Sequence, residues 1–355
     1  SRDTYYMTVS RGDLLMSMLS AVGDTFPAQA LRVTFSGEEG YDVGGITSGF
    51  FADLFSSLHS SEYFDCGSSG FVLPAHTSTP RSGAHTPWFI VGSVLASMMI
   101  QERLLGMHVF PPILFKFLCA RDPTNLQATF SDLEIFDSEL GRGLRTLLLM
   151  DVSDLYMDFS DMGDPSRALT NENKEDYVYK KTQHWLLDVR RDEMMEFRNG
   201  FWDMMERGGA TSDMLPLSWQ ELQRLACGTV DITPDELVNL LTVDSHGDVL
   251  IPLFRRMFEQ WEAAGESYKL VRFVEFVTGI PGLPPDKRLI NPRYGTESKI
   301  SVSVSSYPAV GSKLPEGHLC SFGLSILYYE GTDFPQMVKD FEVCLENIGG
   351  GFNIM

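Results

Sequence analysis

Apolar positions recur at helical spacing along most of this chain. Leu14, Leu15, Met18, Leu19 and Val22 fall on one face of a 3.6-residue period, which predicts an amphipathic helix over 11–22. Residues 31–35 alternate instead, as a half-buried strand does. Residues 88–105 predict a core helix, and Pro111-Pro112 opens another over 113–119. Further helical faces are Leu140, Leu144, Leu147 and Leu148, then 174–187, then Met194, Met195, Phe197, Phe201 and Met205. Segments 219–226, 234–241, 249–261 and 268–277 also read as helices, and 154–159 as a strand. Towards the C-terminus the period changes. Ile300, Val302 and Val304 alternate, 324–329 is a second strand, and Asp333 caps a helix presenting Phe334, Val338, Phe341, Leu345 and Ile348. Between these patterns, 56–87 is rich in Ser, Gly, His and Pro and reads as a loop.

Composition narrows the picture. At 355 residues with 43% apolar content, the chain is long enough for two cores. The formal net charge of −20 argues against nucleic acid or an anionic membrane as partner, since both demand a basic surface. The longest apolar run, 88–100, is shorter than the ~20 residues that span a bilayer, so no membrane insertion is expected. Five widely spaced cysteines without a CxxC argue against disulfides and zinc. They fit a reducing compartment, with the cytoplasm expected and the nucleus as the alternative. The chain opens on Ser-Arg, so we expect a domain cut from a longer protein with a natural C-terminus. Glycines in 36–47 precede a helix, but Glu38, Glu39 and Asp42 would repel a phosphate and no Gly-Lys-Ser/Thr follows; a tight strand-to-helix turn explains them. Cys66, His76 and His85 match no zinc spacing.

Two stretches carry candidate chemistry. The methionines and aromatics of 194–205 suit either a core or an apolar partner groove, and periodicity favours neither. In 313–329, Cys320 sits on a loop before an apolar strand, with His318 two residues ahead. A loop thiol beside a histidine is a candidate nucleophile, being strongly nucleophilic although only a few per cent ionised at neutral pH. By spacing alone, a small buried packing residue is the more common explanation. Cys344, beside the apolar face of the last helix, reads as such a residue.

In order along the chain stand Val9-Ser-Arg11, Val33-Thr-Phe-Ser-Gly-Glu-Glu-Gly-Tyr-Asp-Val-Gly-Gly45, Phe89-Ile-Val-Gly92, Thr170-Asn-Glu-Asn173, Phe197-Arg-Asn-Gly-Phe201, Leu225-Ala-Cys-Gly228, Phe276-Val-Thr-Gly279 and Leu314-Pro through His318-Leu-Cys320. Together these resemble the HECT family of ubiquitin ligases over nearly the whole chain. The resemblance implies a bilobal α+β fold: a mostly helical N-lobe over 1–227, a hinge at Gly228, Thr229 and Val230, and a smaller α/β C-lobe over 231–355. It implies that Cys320 accepts ubiquitin as a thioester from a conjugating enzyme and passes it to a lysine of a protein substrate, with no cofactor. A small subdomain over about 131–205 would dock the conjugating enzyme through Leu140, Leu144, Leu147, Leu155, Met157, Tyr177 and Lys181, which tilts the open choice there towards a groove. His318 matches the family with a supporting or a purely structural role. Phe352, fourth from the end, matches the family's positioning phenylalanine.

The chain also departs from the family. Leu319 replaces the usual threonine before the cysteine, and Ser321-Phe322 the usual Phe-Asn after it. Ser48-Gly49 replaces Arg-Glu, and Lys181 stands where an aromatic often faces the partner. These departures bear on rate and partner choice. The lost threonine motivates an alternative, a catalytically weak scaffold that binds a conjugating enzyme or ubiquitin. A cysteine protease is a remote third reading, since no second catalytic histidine region is evident.

Overall fold

The computed structural model describes residues 4–38, 45–76, 86–101, 103–105, 109–210, 217–229, 231–244, 247–280, 282–291, 296–305, 314–319, 321–327, 329 and 333–347. Helices and strands mix along the chain as an α+β fold, in two compact units. The first comprises 1–31, 52–102 and 108–223; the second comprises 32–51, 103–107 and 224–355.

The first unit is organised on two helices, Pro87–Ile100 and Arg191–Arg207. Thr86 caps the former by accepting the Phe89 amide, with proline in the first turn, where its missing N–H costs nothing. Residues 87–98 are all buried, so the helix lacks a polar face. It ends with the apolar run at Ile100, short of the 105 expected, and the Gln101 amide closes the last turn on the Ser97 and Met98 carbonyls. In the partner helix Met194, Phe197, Phe201 and Met205 are buried. Core, not groove, is therefore the role of that methionine-aromatic face. Small side chains let the backbones meet: a Cβ on Gly92 would lie 2.0 Å from the Phe197 carbonyl oxygen, and one on Gly200 would lie 1.9 Å from that of Phe89. The Ser93 hydroxyl reaches the Phe89 and Gly200 carbonyls, 3.0 Å each.

Within the loop expected over 56–87, the described residues form a hairpin, Phe64–Cys66 with Val72–Pro74. Three-residue strands separated by Gly67-Ser-Ser-Gly-Phe71 carry too little alternation to be read. Arg190, 1% exposed, supports the hairpin from behind with Nη1 2.8 Å from both the Asp65 carboxylate and the Pro74 carbonyl. The segment expected as a strand over 154–159 is extended only at Asp158–Phe159, pairing with Asp164–Ala168. Nearby, Phe130–Phe136 begins with a Thr129–Asp132 capping box, and Ser138–Leu149 and Lys174–Leu186 follow as expected.

The second unit carries a four-stranded mixed sheet in the order Glu316–His318, Gly323–Leu327, Ile300–Ser305, Leu241–Val243. The two central strands run parallel to each other, and Glu316–His318 is antiparallel to its neighbour. Helices Gly247–Ala263, Tyr268–Thr278 and Phe334–Glu346 supply Phe254, Phe258, Trp261, Phe273 and Phe341 to one core. Phe254 and Phe258 each meet Phe273 at 6.0 and 5.1 Å between ring centres, tilted towards edge-on packing. Three-residue strands at Leu241–Val243 and Glu316–His318, and a Leu289–Asn291/Thr296–Ser298 hairpin, have no periodic signal of their own. At the start of this unit Thr47 Oγ1 accepts the Val33 amide at 3.2 Å, as a strand-to-helix turn requires. Residues 39–44 of that turn lie outside the described residues.

Candidate functional site

The sheet of the second unit brings described residues to both sides of Cys320 in sequence; Cys320 itself, with Val230 and Phe352, lies outside the described residues. His318 ends the edge strand and Gly323 begins its antiparallel neighbour, in register with it. Between them the Ser321 amide donates to the His318 carbonyl at 3.1 Å. Phe322 is held at φ 52°, a left-handed conformation that asparagine adopts far more readily than phenylalanine. Its ring is fully buried, which stabilises by roughly 1.5–3 kcal/mol and offsets a backbone cost of about 1–2 kcal/mol. Here is the physical content of the departure from the family's asparagine. Leu319 packs its Cδ1 3.4 Å from the position a Cβ would take on Gly279, the left-handed cap of Tyr268–Thr278. A leucine there fills the space beside the Gly279 backbone, where threonine would supply a hydroxyl.

His318 is exposed, and its Nε2 lies 2.8 Å from Ser325 Oγ. Ser325 in turn lies 3.2 Å from Ser303 Oγ, across the parallel pairing. Neither serine carries a periodicity signal, so the sequence reading missed both.

The remaining described thiols are poor nucleophiles where they are buried. Desolvation pushes Cys227 up to about 12. Desolvation likewise raises Cys119 to about 11 against the pull of Arg198, and Cys344 to about 11 with help from Asp340. Cys344 Sγ donates to the Pro315 carbonyl at 3.5 Å, a packing role as expected. Cys66 is exposed on the hairpin of the first unit. Among the described residues no group of three His, Cys, Asp or Glu side chains converges as a metal site, and no helix is long and apolar enough to cross a membrane.

At the expected hinge, Gly228 has φ 79°, and a Cβ would lie 2.7 Å from both the Leu104 Cδ1 and the Leu283 carbonyl oxygen. Both conformation and space therefore require glycine. Thr229 is bridged to Leu283 by hydrogen bonds of 2.7 and 3.4 Å.

The expected partner-docking side chains divide by exposure. Leu144, Leu147 and Tyr177 are 5, 7 and 4% exposed and belong to the interior of the first unit. Tyr177 meets Phe159 edge-on at 5.1 Å, and burial raises its phenol pKa. Leu140, Leu155 and Lys181 are half-buried, and Met157 is exposed. Lys181 Nζ binds Asp161 at 2.6 Å, and that hydrogen bond lowers the Asp161 carboxyl. Tyr156, Leu149 and Met150 offer the larger exposed apolar area in this stretch, and the sequence reading missed them. A strand-like alternation over 154–159 would have placed Tyr156 opposite Leu155 and Met157, and that was its only signal.

The HECT-domain (ubiquitin-transferase) family model matches residues 52–355. The chain is similar to the E3 ubiquitin-protein ligase NEDD4 of Rattus norvegicus, 24% identical over 344 residues, covering 90% of this chain and 36% of that protein. It is 24% identical over 346 residues to the E3 ubiquitin-protein ligase TOM1-like of Neurospora crassa, covering 90% and 8%. To the E3 ubiquitin-protein ligase TOM1 of Saccharomyces cerevisiae it is 23% identical over 353 residues, covering 92% and 10%. The chain spans well under half the length of these curated relatives. With the family match extending from 52 to the last residue, the chain belongs to the HECT-domain (ubiquitin-transferase) family.

Proposed function

We propose that this chain is the catalytic portion of a ubiquitin-protein ligase, with Cys320 as the thioester-forming residue. The observation that carries the reading is the family match, which spans Cys320 and both flanking segments. In the first step the Cys320 thiolate attacks the carbonyl of a ubiquitin thioester on a conjugating enzyme; the old C–S bond breaks and the enzyme's thiolate leaves. In the second, a lysine amine attacks the new thioester and Cys320 departs, so one difficult acyl transfer becomes two easier ones. The partners are a conjugating enzyme, ubiquitin and a protein substrate, in the cytoplasm or nucleus. The bilobal division at 228–230 belongs to the same reading, as does the small subdomain over about 131–205 as the docking region. Phe352 would act in the second step by positioning. The three desolvated thiols leave little competition for Cys320 as nucleophile.

The test is to incubate the protein with activating enzyme, a conjugating-enzyme panel and ubiquitin, then resolve adducts with and without thiol. A thiol-sensitive ubiquitin adduct that disappears in Cys320→Ala and survives Cys66→Ser is expected. An adduct persisting in Cys320→Ala refutes the assignment. Binding of a conjugating enzyme with no adduct from any member would favour the scaffold instead.

A further inference from the structure

Three side chains from three adjacent strands make a continuous polar chain on the sheet of the second unit. Ser303 stands in register with Ser325 on the parallel pair, and their hydroxyl oxygens are 3.2 Å apart. On the other side, His318 stands in register with Gly323, two residues before Ser325 and therefore on the same face of that strand. Its imidazole reaches diagonally along the strand to place Nε2 2.8 Å from Ser325 Oγ. Gly323 makes room for this. A Cβ there would lie 3.3 Å from His318 Cβ and 3.4 Å from Cδ2, tight enough that the ring would have to give by a few tenths of an ångström. Ser303 and Ser325 are half-buried while the ring is exposed, so the serines are the fixed end of the chain.

Proton bookkeeping allows two orientations of these bonds, and only one of them survives protonation of the ring. If Nε2–H donates to Ser325, then Ser325 spends its single hydrogen on Ser303, and Nδ1 keeps its lone pair. That arrangement survives protonation of the ring, because the added proton goes to Nδ1 and no bond of the chain breaks. In the opposite orientation Ser325 donates to Nε2, and protonation there would break the bond. We propose that Ser325, backed by Ser303, is a positioning residue for acyl transfer: it fixes the His318 ring so that Nδ1 is the nitrogen that gains and loses a proton, two residues ahead of Cys320 in the chain. This rests on the ligase reading for its rate consequence, and for its tautomer on the bond geometry together with the survival of the chain when the ring is protonated.

Two measurements on the same variants test it. Nitrogen-15 resonances of labelled histidine, with His318 assigned by difference from His318→Gln, report the tautomer when the ring is neutral. Discharge of the Cys320 thioester to free lysine reports the rate. The wild type is expected to carry its hydrogen on Nε2. Ser325→Ala is expected to give averaged resonances and to slow discharge about tenfold, a part of the ~10²–10⁴-fold that a positioned acid-base group contributes. Ser325→Thr, which keeps the hydroxyl, should retain both signatures, and Ser303→Ala should show a weaker form of each. A wild-type ring carrying its hydrogen on Nδ1 overturns the proposal. So does a Ser325→Ala variant with unchanged resonances and rate, or a rate that falls equally in Ser325→Thr. A wild type that forms no ubiquitin thioester refutes the ligase reading instead, and the nitrogen resonances still decide the orientation of the ring.

Discussion

Gly92 and Gly200 face each other across two crossing helices, each lying where the other helix's backbone would touch its side chain if it had one. The contact is reciprocal. The carbonyl next to Gly92 is that of Phe197, one turn before Gly200, and the one next to Gly200 is that of Phe89, one turn before Gly92. Ser93 adds a hydrogen bond from one helix to the Gly200 carbonyl. The first unit's core is built outward from this crossing.

Alanine at either position is expected to destabilise the protein. In an ordinary helix interior, Gly→Ala stabilises by roughly 0.5–1 kcal/mol. Here a methyl would meet carbonyl oxygens at 2.0 and 1.9 Å, so the helices must separate, and overpacking of that kind costs about 1–3 kcal/mol or more. Urea denaturation of Gly92→Ala and Gly200→Ala should give lower midpoints. An unchanged or raised midpoint would mean that the helices do not approach so closely.

The Arg190–Asp65 pair should respond unequally to loss of each partner. Arg190 is 1% exposed, whereas the Asp65 side chain is 54% exposed. Asp65→Ala takes the hydrogen-bonded carboxylate from a buried guanidinium, leaving it the Pro74 and Trp185 carbonyls and the field of Glu193, which costs about 3–5 kcal/mol. Arg190→Met leaves Asp65 in water and forfeits mainly hydrogen bonds to carbonyls, at about 1–3 kcal/mol. Thermal unfolding should therefore rank Asp65→Ala below Arg190→Met; the reverse order would contradict the burial argument.

Exposure sorts the docking candidates. Leu144→Ala removes a side chain only 5% exposed and is expected to cost about 2–5 kcal/mol of stability, whatever it does to binding. Tyr156→Ala and Met157→Ala remove exposed side chains, and stability should change by no more than about 0.5 kcal/mol. If this face meets the conjugating enzyme, their affinity loss should be about tenfold with the fold intact. Calorimetry against the cognate enzyme and circular dichroism together decide it. Unchanged affinity in both surface variants would move the docking face elsewhere.

Alkaline pH should weaken the fold through its buried thiols. Cys227, Cys119 and Cys344 hold their protons to about 12, 11 and 11 when folded. In the unfolded chain a thiol releases its proton near its ordinary value of about 8.5, so above that pH the folded state binds more protons. Their contribution is complete below that value and is lost as pH rises towards the folded values. Tyr329, also raised by burial, acts in the same direction at higher pH. The urea midpoint should fall from about pH 8 to about pH 10. Cys227→Ala should lower the midpoint at both values but shrink the difference between them; an undiminished difference would locate the sensitivity elsewhere.

What the sequence by itself determined is whatever repeats over several turns or belongs to an ordered set of motifs. The helical faces at Leu14–Val22, Lys174–Leu186, Arg191–Arg207 and Phe334–Glu346 were legible because one buried face of 3.6-residue period must show in any single segment. The family, and through it Cys320 as the candidate nucleophile, were legible from motifs in their order. Tertiary structure decided the rest. Strands such as Glu316–His318 and Phe64–Cys66 exist because a second strand supplies their hydrogen bonds, and three residues hold no period of their own. Leu144 and Tyr177, expected from the family resemblance to face a partner, are interior, because burial depends on what packs above them. Ser303, Ser325 and His318 meet only because strand register brings positions 303, 325 and 318 side by side. Register is a relation between segments, and no one segment encodes it.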